Sequence, residues 1–229
     1  MERYKISVGR DRDTFDVVDD WSRYLGICGR HQSRDLVQER LQMFLKKPQV
    51  LYLKRIDQGV KEILYELSEK VYPELKQLRL EDDSKIRCLI NSSSTSEIHP
   101  PARSVFCMLE SLYLDGLTNL EKICHGEVTK ESFQRLRDIE VRNCERLRSL
   151  LPSSIEKLEK LTIFRCHGME EIVENEDDSE EVIEIFPQLL SLSLIGVPKL
   201  SQFWKGYPEE SFPEDSVRPF FGHEVCMLY

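Results

Sequence analysis

The chain has no apolar stretch at its start, "MERYKISVGRDRDTF", that could serve as a signal peptide. Nor does any window approach the roughly eighteen apolar residues that crossing a bilayer as a helix requires. A soluble, intracellular protein in the cytoplasm is the expectation. CxxC pairs are absent too. The seven cysteines (Cys28, Cys88, Cys107, Cys124, Cys144, Cys166 and Cys226) are odd in number and dispersed, which fits free and mostly buried thiols in a reducing compartment. No basic stripe is present, and Lys plus Arg number 32 against 41 acidic residues, for a net charge of −9. That excess has one source, since Glu170–Glu184 holds nine acidic residues and no Lys or Arg. A nucleic-acid partner is therefore not expected. The run reads as a solvated loop, and it lacks the glycine-turned pattern of regular oxygen ligands that calcium needs.

Catalytic signatures are equally sparse. Nothing matches G-x-x-x-x-G-K-[ST], so no loop is available to cradle a nucleotide phosphate. The five histidines (His31, His99, His125, His167 and His223) are scattered, and no Ser or Cys sits in a motif that pairs it with a base. The expectation is a protein that is not an enzyme, with no cofactor, no metal and no small-molecule substrate. A charged fraction of 32% and a hydrophobic fraction of 40% still place the chain among globular proteins.

What the chain does have is a repeat. "LRDIEVRNCERLRSL" (136–150) and "LEKLTIFRCHGMEEI" (158–172) align without a gap, as do "LESLYLDGLTNLEKI" (109–123) and "LLSLSLIGVPKLSQF" (189–203). The shared pattern is L-x-x-L-x-[LIV]-x-x-[LCV]-x-x-[LM]-x-x-[LIF]. "LKQLRLEDDSKIRCL" (75–89) fits it with Asp83 at the ninth position, and "LYLKRI" (51–56) is a partial copy. First positions lie 34, 27, 22 and 31 residues apart, a variation that a leucine-rich repeat solenoid absorbs in loops away from its strands.

Each copy has a readable physical basis. In "LRDIEV", Ile139 and Val141 alternate with Asp138, Glu140 and Arg142, the spacing of a strand with one face buried. After a turn, Leu147 and Leu150 come back to the same core. A single rung cannot offset the entropy of ordering its own backbone, so rungs must stack. The fold expected is an α/β class, curved leucine-rich repeat solenoid of about seven or eight rungs, with an inner parallel β-sheet and short helices and loops on the convex side.

Residues 1–47 read as irregular N-terminal rungs, "RYKISVG" and "SRYLGICG", plus one amphipathic helix at "RDLVQERLQMFLKK" (34–47), which Pro48 ends. The repeats occupy 48–204, with polar inserts at 91–104 and 174–184. Residues 205–229 read as a C-terminal cap or a loose tail.

"LESLYLDGLTNLEKICHGEVTKESFQRLRDIEVRNCERLRSLLPSSI", "LEKLTIFRCHGMEEIVENE" and "FPQLLSLSLIGVPKLSQF" closely resemble the C-terminal leucine-rich repeats of plant nucleotide-binding, leucine-rich repeat disease-resistance proteins of the coiled-coil class. "NCERLRSLLP" and "CHGMEEIV" are the most specific parts of the likeness. The resemblance implies a non-catalytic recognition module of a plant intracellular immune receptor. Its partner would be a pathogen effector, a guarded host protein or the receptor's own switch domain. Without a phosphate-binding loop only that sensor portion is implied, so the chain reads as a truncated receptor. The alternatives are the substrate-recognition subunit of an F-box-type ubiquitin ligase, or a nonfunctional receptor fragment. A strand-like opening and one clear helix in 1–47 count against an F-box.

Two sets of residues invite a site. "ICHG" and "RCHG" put Cys124, His125, Cys144, Cys166 and His167 forward as metal ligands. The register argues otherwise: Cys144 and Cys166 both fall at the ninth position, and Cys124 falls one past the fifteenth. Adjacent Cys and His also seldom ligate one ion together. Cys144 and Cys166 should lie on adjacent rungs, as two buried thiols. The second set is the strand positions between the leucines, which a solenoid turns to its concave, partner-binding face. These include Gln77, Glu81, Ser111, Asp115, Thr162, Ser191, Ser193 and Ile195. The strongest protein-binding candidates are Arg79, Tyr113, Asp138, Glu140, Arg142, Lys160 and Phe164. Aromatic and Arg side chains are the types that anchor interfaces, which singles out Tyr113, Arg142 and Phe164.

Overall fold

Every copy of the repeat opens with a strand because its fourth and sixth residues are apolar and the residues between them polar, so that one sheet face is buried. The computed structural model describes residues 4–8, 23–29, 48–56, 74–91, 104, 106–125, 128–129, 131–152, 155–174, 186–200, 202–204 and 224–228. Nine strands form one parallel sheet. In sheet order they are β1 (Tyr4–Val8), β2 (Arg23–Cys28), β3 (Val50–Lys54), β4 (Gln77–Glu81), β6 (Ser111–Asp115), β8 (Asp138–Arg142), β10 (Lys160–Phe164), β12 (Ser191–Ile195) and β14 (Glu224–Leu228). Both opening segments, "RYKISVG" and "SRYLGICG", supply strands to this sheet. So does the segment after Trp204, where β14 pairs in parallel with β12 although no leucine register announces it.

The core runs the length of the stack in columns. Leu51, Leu78, Leu112, Ile139, Leu161 and Leu192 share one register position, and Leu53, Leu80, Leu114, Val141, Ile163 and Leu194 share the next inward one. All are buried. The ninth position forms a further buried column of Ile56, Asp83, Leu117, Cys144, Cys166 and Val197. Burying each large apolar side chain contributes roughly 1.5–3 kcal/mol, and stacking multiplies it.

Short strands face the main sheet across the core: β5 (Cys88–Asn91) with β7 (Lys122–His125), and β9 (Leu151–Pro152) with β11 (Glu171–Glu174) and β13 (Gln202–Trp204). The expected short helices on this side do not occur among the described residues. In the step of 22 residues from Leu136 to Leu158 the reason is length. Once the strand and the turn at its end are built, too few residues are left for a stable helix, whereas a short strand satisfies its backbone on the neighbouring rung. The amphipathic helix read at 34–47 lies outside the described residues, as do most of the inserts at 91–104 and 174–184 and most of the tail.

A turn at the eighth position fixes the phase of every rung. Arg55, Asp82, Asn143 and Arg165 have φ of 53°, 54°, 52° and 54°, and Gly116 and Gly196 have 66° and 67°. In this left-handed conformation the amide points along the stack and donates to the seventh residue's carbonyl on the next rung. Examples are Arg55 to Glu81 (3.0 Å), Asp82 to Asp115 (2.8 Å), Asn143 to Phe164 (2.9 Å) and Arg165 to Ile195 (2.8 Å). Next, the twelfth amide closes onto the ninth carbonyl, as in Leu120 to Leu117 (3.0 Å) and Met169 to Cys166 (3.1 Å). Before the strand, Phe106, Phe133 and Phe186 recur three residues ahead of the first leucine, buried and with positive φ. The Phe106 and Phe133 rings sit 5.7 Å apart.

Gly168 shows how close these rungs lie. A Cβ built there would run into the Glu145 carbonyl oxygen of the preceding rung. His167 beside it is exposed. Gly168→Ala should therefore cost about 1–3 kcal/mol as an overpacking defect, while His167→Ala stays within about 0.5 kcal/mol of the parent. Urea unfolding of the two variants tests this, and equal midpoints would show that the rungs can separate at this turn.

Candidate functional site

The third, fifth and seventh residues of each rung lie on the sheet face turned away from the main core. Across the fifth-position column the register runs Gly26, Tyr52, Arg79, Tyr113, Glu140, Thr162 and Ser193. Along the seventh it runs Cys28, Lys54, Glu81, Asp115, Arg142, Phe164 and Ile195. All the candidates from Arg79 to Phe164 therefore share one face. Their surroundings divide it into three parts.

At β2 and β3 the face is closed. Tyr24, Cys28, Val50 and Tyr52 pack as a small second apolar cluster, each no more than 6% exposed. The Tyr24 ring folds back over Gly26, where a Cβ would meet its hydroxyl at 2.6 Å. The candidate positions, which begin at Gln77, do not reach this part of the face. "YLGIC" and "VLYL" nevertheless carried the signal, because runs this apolar, without polar alternation, belong to strands buried on both sides.

From β3 to β8 the face is ion-paired. Glu81, 7% exposed, accepts the Tyr52 hydroxyl at 2.7 Å and Arg79 Nε at 2.5 Å, and it pairs with Lys54 Nζ at 3.2 Å. Burial works to raise the Glu81 pKa, but these hydrogen bonds and the Arg79 charge outweigh it and hold the carboxyl below its ordinary range. Burial likewise pulls the Arg79 pKa down, and the Glu81 bond and charge outweigh it, so the guanidinium stays charged. That guanidinium lies between two rings, 3.9 Å from the Tyr113 centroid and 5.5 Å from that of Tyr52. Tyr113 donates to Asp115 at 3.3 Å, and its pKa is pushed up to about 12 by burial and then by the Asp115 charge. Asp115 also accepts Asn143 Nδ2 at 2.7 Å.

Toward β8, β10 and β12 the face opens. Arg142 is paired with Glu140 on its own strand, and Phe164 lies beside Arg142 in the register. Lys160 is exposed beside Asp138. Arg165, at the eighth position and outside the leucine-defined candidates, turns its guanidinium back to 4.8 Å from the Phe164 ring. Side-chain type alone did not reveal Arg165, Tyr52 or Lys54. Each depends on where a neighbouring rung falls.

The two Cys-His-Gly triplets are not brought together. Cys124 and His125 end β7, on the far side of the core. Cys144 and Cys166 are free, buried neighbours beneath the eighth-position turn. The Cys144 thiol donates to the Arg142 carbonyl at 3.3 Å. Contact with Cys166 and burial push that thiol's pKa up. No three His, Cys, Asp or Glu side chains among the described residues are grouped so as to hold a metal ion.

A family model described as plant disease resistance protein RPS2-like, leucine-rich repeats, matches residues 30–157, more than half of the chain. No curated protein and no solved structure matches it.

Glu81 is the electrostatic keystone of the ion-paired section, and its depressed pKa has a definite sign. Its stabilising effect is present above the ordinary carboxylate range and is lost as pH falls through the lower folded-state value. Glu81→Gln should cost about 3 kcal/mol at neutral pH by removing the buried carboxylate that pairs with Lys54 and Arg79. The deficit should shrink as the parent is acidified. Thermal unfolding between neutral and acidic pH checks this, and a deficit independent of pH would mean that packing, not charge, holds the cluster.

Proposed function

Because the chain belongs to the plant RPS2-like disease-resistance leucine-rich repeat family, we propose that it is the protein-recognition module of a plant intracellular immune receptor. It binds a pathogen effector, a guarded host protein or a switch domain in the cytoplasm, and catalyses nothing. The observation that carries this reading is the sheet face itself. Alternate residues of β4, β6, β8 and β10 are turned away from the main core, and Arg79, Tyr113, Glu140, Arg142 and Phe164 among them are aromatic or charged and set side by side by the register. In this reading that face is the concave side of a curved solenoid, and a partner covers it as a surface rather than entering a pocket. Stacked Arg79 and Tyr113 supply a rigid platform. Arg142 and Lys160 supply exposed contacts and Phe164 a half-buried one, with Asp138 and Glu140 between them.

No helix among the described residues is long and apolar enough to cross a membrane. The family membership supports a role in defence, and the ladder of rungs supports binding, since it positions side chains over a wide surface.

Replacing Tyr113, Arg142 and Phe164 together by alanine should lower partner capture from plant leaf extract at least tenfold while leaving far-UV circular dichroism unchanged. Capture is read by quantitative mass spectrometry against the parent chain. Proteins retained equally by both chains would place recognition elsewhere on the molecule.

A further inference from the structure

The open end of the face is not uniform. Phe164 is half-buried and lies in register between Arg142 on β8 and Ile195 on β12. Two guanidinium groups approach its ring, Arg165 at 4.8 Å and Arg142 at 6.0 Å from the centroid. Their counter-charges differ. Arg142 shares Glu140 across an exposed pair, the kind that contributes little in water and is readily shared with an incoming anion. Arg165 is exposed and has no carboxylate within ion-pair distance among the described residues. Thr162 and Ser193, the neighbours toward the strand centres, are short and leave the ring approachable.

Such a cluster joins an apolar floor to two cations, one of them without a carboxylate partner among the described residues. We propose that Arg142, Phe164 and Arg165 form a docking site for an acidic segment of a partner protein, one that presents a carboxylate beside an apolar side chain. The carboxylate is held by Arg165 and shared by Arg142, while the apolar group rests on Phe164 and Ile195. Charge complementarity selects the occupant. A guanidinium fork matches a carboxylate in two-point geometry, and stacking against an aromatic ring holds the fork in place. The rest of the face opposes an acidic ligand elsewhere, since Glu81, Asp82 and Asp115 line the β4–β6 side, and Asp138 stands beside Lys160. A long polyanion such as RNA is disfavoured for the same reason, because the chain carries a net charge of −9 and no basic stripe continues beyond this cluster. Arg142 lies within the residues 30–157 that the family model matches, and Phe164 and Arg165 lie beyond them. The site rests on the recognition reading above, and specifies where on the face, and by what chemistry, the partner is held.

The repeat itself supplies fold-safe variants. The eighth position already accommodates Asn143 and Asp82 in the same left-handed turn as Arg165. Arg165→Asn and Arg165→Asp therefore change the charge without straining the backbone. The probe is a set of immobilised twelve-residue peptides, each with one Asp or Glu flanked by Phe or Leu in a Gly-Ser background, beside a matching set with Lys for the acid. The parent chain should bind the acidic set and not the Lys set. Arg165→Asn should weaken binding about tenfold and Arg165→Asp should abolish it, with unchanged circular dichroism. Arg148→Gln, an equal charge loss on an exposed residue outside the face, should leave binding within about twofold. Equal binding by parent and Arg165→Asp, or equal losses in the Arg165 and Arg148 variants, would overturn the site. Arg165-dependent binding of single-stranded RNA at the same strength would overturn it in favour of a general anion site. Should the triple alanine variant lose its partner while Arg165→Asp keeps it, recognition by the face stands and this site falls.

Discussion

Each rung can satisfy its backbone only through its neighbours. A strand of five residues in a parallel sheet has no hydrogen-bond partner within its own rung, so the amides and carbonyls must meet those of the next rung in phase. The left-handed eighth residue secures that phase by directing its amide along the stack to the following rung's seventh carbonyl. Similar bonds fix the entry to each strand, where Arg137 and Asp138 both donate to the Glu110 carbonyl, and Glu159 and Lys160 to that of Arg137. Once the phase is fixed, the leucine columns follow, because every rung turns the same positions inward. The close approach at Gly168 is a local expression of this spacing.

The same constraint decides what the outward face can be. The core takes the fourth and sixth residues of each rung and leaves the third, fifth and seventh without a structural duty. Where those residues are apolar, at β2 and β3, they are covered and form a second small cluster. Where they are charged and close together, they pair. Glu81 draws Lys54, Arg79 and Tyr52 into one bonded group, and desolvating its carboxylate is offset only because several donors converge on it. At β10 the seventh residue is Phe164, which cannot form an ion pair, and the Arg142 and Arg165 guanidinium groups approach its ring.

Much of this was legible in the sequence, and the boundary of legibility is physical. Leucine spacing located the strands β4, β6, β8, β10 and β12, their buried columns and the face shared by Arg79 through Phe164, because all of these follow from one repeating burial pattern. It could not show the eighth-position turn. Arg55, Asp82, Gly116, Asn143, Arg165 and Gly196 share a backbone conformation and no side-chain chemistry. On the far side, where short helices and loops were the expectation, an apolar residue at every third position suits either a helical face or a chain that turns and then runs straight. Pairing with the neighbouring rung decides between them. β14 carries "EVCML" with no leucine frame around it, so only pairing with β12 identifies it. The closure over β2 and β3 is written in the sequence as unbroken apolar runs, in contrast to the alternation of the later rungs.

One comparison shows why such a scaffold suits recognition. The seventh position holds Lys54, Glu81, Asp115, Arg142, Phe164 and Ile195 on strands with the same backbone pairing. Six residue types of opposite charge, aromatic and aliphatic character are accepted there because that side chain takes no part in the ladder or the main core. Its carbonyl bonds to the preceding rung whatever the side chain is. Substitution at this column alters the surface at little cost to the fold, except where, as at Glu81, neighbouring charges have come to depend on it. The ninth position behaves in the opposite way. Cys144, Cys166, Leu117 and Val197 differ, yet each is small enough or apolar enough to lie buried under the turn, and Asp83 is accommodated there by accepting the Lys85 amide at 2.7 Å. Stability and specificity thus occupy separate columns of one repeat. The second Cys-His-Gly belongs to the first of these: Cys166 fills the core, Gly168 gives the preceding rung room, and His167 between them faces water.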